Sequence, residues 1–227
     1  MSSQEWDALP DSIPLQAAAR NDSGVSEEEM DKDSMEFGFS DREIDDVDIE
    51  GVNHDLPRRQ KVFRLAAGFI ADEYRQFDWV TKIAIFGSVA KPLWKEVPRF
   101  RDFKRKGIAL WHECSDLDLA VWVSRTDMLN NLRKARTTAL KKMHEKYPHI
   151  MGVAHHQAEV FVLEASTSVH LGRLCTFGQC PKPKKRECKV ADCGKPSFLK
   201  IMEGFRFHQD ALEGIIMLYP KDDDYNE

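Results

Sequence analysis

Two carboxylates one residue apart, Asp116 and Asp118, stand in the run Ser115-Asp116-Leu117-Asp118-Leu119-Ala120-Val121. In an extended strand, residues two apart share a face, so both acids project one way while Leu117 and Leu119 project the other. Like charges held side by side repel, and a divalent cation between them relieves that repulsion. Upstream, Gly87-Ser88 joins a residue free to turn sharply to a hydroxyl that can donate to a phosphate oxygen. Glu159, set among apolar residues from Ala158 to Leu163, offers a third acid. Three converging carboxylates can hold two magnesium ions roughly 3.5–4 Å apart, one activating an attacking hydroxyl and one steadying a triphosphate. Asp116, Asp118 and Glu159 are therefore the expected catalytic metal ligands, with Glu159 also placed to help deprotonate the acceptor. Gly87, Ser88 and Lys91 are the expected phosphate-binding residues. The chemistry that such a set performs is phosphoryl or nucleotidyl transfer.

A second set of soft ligands lies further along the chain. Cys175, Cys180, Cys188 and Cys193 are spaced x4, x7 and x4, and four thiolates on two turns can close a tetrahedral, structural zinc site. Unpaired thiols and an iron–sulfur site are the alternatives. The loop between the cysteine pairs carries Lys182, Lys184, Lys185 and Arg186, a compact basic patch that suits either a phosphorylated or nucleic-acid contact or a solvated loop tip.

The elements that must position these residues are legible in outline. Val62, Phe63, Ala66, Phe69, Ile70 and Phe77 recur at helical spacing, which predicts an amphipathic helix starting near Asp55 with Pro57 in its first turn. Val80–Phe86 reads as a short buried strand ending at Gly87, Leu117–Val123 as a second, and Ala158–Leu163 as a third. Between the second and third strands, Met128, Leu129, Leu132, Ala135, Ala139, Leu140 and Met143 predict a long helix stopped by Pro148. From Phe198 to Leu218 the apolar residues fit neither period.

Charge is unevenly placed along the 227 residues. Residues 1–55 hold 17 acidic and three basic residues, while the remainder carries a net charge of +9, so the overall value of −5 conceals a basic body behind an acidic lead. The lead has few large apolar residues and reads as largely disordered. A basic body attracts polyanions. No early segment has the pattern of a secretory signal and no run approaches 18 apolar residues, so the sequence predicts a soluble, cytoplasmic protein without a membrane partner. Five cysteines fit a reducing compartment better than a disulfide framework.

With these residues in view, Gly87-Ser88 followed by Ser115-Asp116-Leu117-Asp118-Leu119-Ala120-Val121 resembles the nucleotidyltransferase family of the polymerase-beta type, particularly its minimal branch. The resemblance covers residues 57–164. It implies an α+β nucleotidyltransferase fold, a small mixed β-sheet with helices packed on one side, with Glu159 as the third acid and magnesium as cofactor. It also implies transfer of a nucleoside monophosphate from a nucleoside triphosphate, ATP among the candidates, to a hydroxyl on a small molecule, a protein or an RNA end. The alternative is a catalytically inactive binding module or an antitoxin-like protein acting on a protein partner. The chain departs from the pattern in its long segment between Ser88 and Asp116, in Val89 after the Gly-Ser, and in Glu rather than Asp at the third position. The expected organisation is an acidic lead (1–54), a nucleotidyltransferase-like domain (55–168) with a basic insertion (89–115), a cysteine-rich zinc element (169–196) and an extension (197–227).

Overall fold

The computed structural model describes residues 46–93 and 114–220. The basic run from Arg99 to Lys106 and the acidic lead before Asp46 lie outside the described residues. Every described residue belongs to one unit, Glu43–Glu227.

Helix α1 spans Asp46–Tyr74 and β1 spans Val80–Phe86. Strand β2 (Leu117–Val123) comes next, then α2 (Leu129–Lys146), β3 (Ala158–Glu164) and β4 (His170–Leu174). Two short strands, β5 (Leu199–Lys200) and β6 (Ile216–Tyr219), complete a six-stranded sheet of order β5-β4-β3-β2-β1-β6. Strands β2 and β3 are parallel and all other pairs antiparallel, so the sheet is mixed. The parallel pair requires a crossover, which α2 supplies.

Helix α1 begins at Asp46, earlier than the sequence pattern predicts, and runs through Pro57. Proline removes one helical N–H, but the buried stripe Leu56, Phe63, Ala67, Ile70 and Tyr74 holds the helix down past it. α1 packs against α2, with Phe69 edge-on to Tyr147 at 6.2 Å and Glu73 bonded to Lys142. Alternation along the strands then divides the sheet into two faces. Ile83, Ile85, Leu119, Val121, Val160 and Val162 are fully buried on the helix side. On the other side, Ala84, Phe86, Ala120, Trp122, Phe161 and Leu163 form a second apolar layer, covered by Phe207, Ala211, Leu212 and Ile215. That cover is an irregular segment, which is why residues 198–218 follow neither the helical nor the strand period.

The result is an α+β fold with helices packed against a sheet. The cysteine-rich zinc element expected beside it is not found. Among the described residues, no group of three or more His, Cys, Asp or Glu is placed to hold a metal ion. All the cysteines are free thiols, and burial pushes the Cys175 thiol up. The chain closes this lobe with its own hydrogen bonds instead. Cys175 N–H donates to the Phe198 carbonyl at 2.8 Å, Gly194 N–H to the Leu199 carbonyl at 2.7 Å, and Phe198 N–H to Cys180 Sγ at 3.1 Å.

Candidate functional site

The first strand ends at Phe86, whose backbone partner on β2 is Asp118. Gly87 then turns the chain at φ +70°, a region that glycine enters without penalty, into a short 3₁₀ turn, Gly87–Val89. There is also no room for a side chain: a Cβ on Gly87 would lie 2.7 Å from Asp118 Oδ2. Glycine at 87 thus lets the turn lie directly against the carboxylate.

Side chains from α1 hold this turn in place. Arg64 Nε donates to the Val89 carbonyl at 3.0 Å, and Gln60 Nε2 donates to the Lys91 carbonyl at 2.8 Å. Neither residue is signalled by sequence, since a polar residue on a helix gives no sign of which distant carbonyl it will meet. Lys91 itself presents an exposed side chain, and its fixed group is the carbonyl. Ser88 sits in the turn beside Cys114, whose Sγ lies 3.8 Å from the Ser88 carbonyl oxygen.

Parallel pairing of β2 with β3 puts Asp118 opposite Glu159. Both belong to the parity of Phe86, Ala120 and Phe161, the face away from the helices. Asp116 lies one residue before β2 and is exposed, because β1 pairing ends at Phe86 and the chain turns away at Gly87. Glu159 and Asp116 are both close enough to act on Asp118. Burial, then Glu159, then Asp116 push the Asp118 carboxyl up to about 7, against a smaller opposing pull from Arg173. An Asp at this value is near half-protonated at neutral pH, the condition for a proton acceptor in general base catalysis.

Arg173, on β4, engages the third acid of the site, and no spacing or motif in the sequence signals it. Its Nη1 donates to Glu159 Oε2, and its guanidinium carbon lies 4.3 Å from the Phe161 ring centre and 4.7 Å from that of Phe205. Beside it, His170 stacks on Phe207 at 4.9 Å, and burial followed by Arg173 pushes its pKa down, so the ring is neutral. Beneath the site, Arg136 of α2 is 1 % exposed and donates to the Ala158 carbonyl at 2.9 Å, fixing the residue before Glu159.

Two magnesium ions on Asp116, Asp118 and Glu159 are not supported. No group of three or more acids, histidines or cysteines among the described residues is placed to hold a metal ion. The physical reasons are local: Glu159 is engaged by an arginine on its neighbouring strand, and Asp116 stands outside the strand. Asp118, Glu159 and the Gly87 turn are nevertheless brought together at one end of the sheet.

No family model, curated protein sequence or solved structure matches this chain. No helix among the described residues is long and apolar enough to cross a membrane.

Proposed function

We propose that this chain transfers a nucleoside monophosphate from a nucleoside triphosphate to a hydroxyl acceptor, in the manner of the nucleotidyltransferases it resembles. The observation that carries the reading is the juxtaposition of a tight Gly87 turn with the Asp118 carboxyl, on a β2 that is parallel to the strand bearing Glu159. The turn is the phosphate-gripping segment, kept rigid by Arg64 and Gln60. Asp118, poised near neutral pH, accepts the acceptor's proton. The acceptor oxygen then bonds to the α-phosphorus, and the bond from that phosphorus to the bridging oxygen breaks, releasing pyrophosphate. Arg173 keeps Glu159 from repelling the incoming triphosphate.

A second reading, a nucleotide- or protein-binding module without transfer, is favoured by the same Arg173–Glu159 pair, which neutralises the third acid. The Asp116→Asn/Asp118→Asn double variant separates the two. The protein is incubated with each α-labelled nucleoside triphosphate and with small-molecule, protein and oligonucleotide hydroxyl acceptors, in buffers with and without divalent salts. Label transfer by wild type that the double variant loses is the expected result. Wild type indistinguishable from the double variant throughout the panel would leave the binding-module reading.

A further inference from the structure

The segment between β4 and β5 leaves and re-enters the sheet at the end that carries the carboxylates. In the antiparallel pairing of β4 with β3, Arg173 lies opposite Phe161, so the chain beyond Leu174 emerges beside Glu159. Strand β5 returns it, with Leu199 opposite Leu174 and Lys200 opposite Arg173. Residues 176–198 therefore form a lobe rooted at the candidate site.

This lobe is strongly basic and its charge is displayed. Its six cationic residues, Lys182, Lys184, Lys185, Arg186, Lys189 and Lys195, are all exposed, against only Glu187 and Asp192 of opposite sign. The chain's own hydrogen bonds close the base of the lobe, so the charges are carried on a folded support rather than on a loose loop. Phe177 lies among them: the Lys182 and Lys185 ammonium groups stand 5.0 and 6.0 Å from its ring centre. A half-buried aromatic ring with two ammonium groups over it joins the two contacts that a single-stranded nucleic acid uses: the exposed lysine stems swing their charges to the flanking phosphates and leave the ring face to a base.

We infer that this lobe binds single-stranded nucleic acid and delivers a terminal hydroxyl of that strand to Asp118. The binding stands on the lobe alone; the delivery rests on the proposed nucleotidyl transfer. A strand laid along the lobe toward its root ends at the carboxylates. Stacking on Phe177 favours unpaired bases, since those of a duplex are already stacked on one another.

The test uses the full chain and a fluorescently labelled single-stranded 12-mer of ribo-adenylate, followed by anisotropy between 50 and 300 mM salt. Wild type is expected to bind with a Kd that rises with salt, at a log–log slope of about 3 to 4 for five or so phosphate contacts. The Lys182→Glu/Lys184→Glu/Lys185→Glu/Arg186→Glu variant changes only exposed side chains; it should weaken binding at least ~30-fold and lower the slope by about 2 to 3. Phe177→Ala should weaken binding ~5-fold or more without changing the slope. Absence of wild-type binding at 50 mM salt, or equal binding by the quadruple variant, overturns the inference. An unlabelled duplex of the same length that competes as well as the single strand, together with an unaffected Phe177→Ala, overturns the single-strand assignment. Failure of the two readings is distinguishable. Oligonucleotide bound but never extended, with no acceptor labelled, sinks the transfer reading and leaves the lobe's binding intact. Small hydroxyl acceptors labelled without oligonucleotide binding sink the lobe inference alone.

Discussion

Replacing Asp118 by asparagine should remove a loss of stability that wild type suffers as pH rises from about 4 to about 7. In the unfolded chain an aspartate releases its proton near its ordinary value of 3.8, whereas in the folded protein burial and the neighbouring acids carry Asp118 up to about 7. Between those values the folded state binds more protons than the unfolded state, so stability falls with increasing pH. Below about pH 4 both states are protonated and nothing is lost; above about pH 7 the full penalty is present. At about 1.4 kcal/mol per pH unit, the interval amounts to an upper bound of about 4 kcal/mol. Asparagine keeps the shape and a polar amide but cannot ionise. Urea denaturation of wild type and Asp118→Asn at pH 4, 5.5, 7 and 8 gives the difference curve. The variant should gain about 2–4 kcal/mol relative to wild type between the two ends of the series. Carbon NMR of the Asp118 carboxyl should show titration near pH 7. Parallel stability curves, with the carboxyl titrating below pH 5, would refute the account of the site's electrostatics.

Arg173→Met removes the cation that opposes the rise at Asp118, so the Asp118 carboxyl should titrate at a higher pH than in wild type, read by the same NMR signal. Stability at pH 7 should fall by about 1–3 kcal/mol in denaturant melts, because Glu159 loses a charged hydrogen-bond partner. Gly87→Ala places a methyl group 2.7 Å from Asp118 Oδ2 at a positive φ; a loss of about 1–3 kcal/mol in denaturant stability and a collapse of nucleotide transfer are expected.

The local elements of this protein are written in its sequence because short-range physics fixes them. Apolar residues at helical spacing before Val80 and after Val123 can bury one stripe only by coiling, and the runs Val80–Phe86, Leu117–Val123 and Ala158–Leu163 are short, apolar and rich in strand formers. The strand parity that turns Asp118 away from the helices follows from the same rule, and the need for glycine before Ser88 follows from the turn that β1 must make. What the sequence left undecided depends on which strand lies beside which. Strand β4 pairs with β3, and only that pairing carries Arg173 to Glu159 and sets its guanidinium against Phe161. The burial that lifts Asp118 and the Phe205–Ile215 segment laid across the strands are likewise products of long-range packing. The cysteines make the contrast plain. Their spacing alone is compatible with a metal, but the burial that raises the Cys175 thiol and the Phe198 N–H donated to Cys180 Sγ depend on the lobe's fold and on the strands at its root. Sequence determined the inventory of acids, turn and strands; tertiary structure decided their charge states and partners, because those energies depend on distances between residues far apart in the chain.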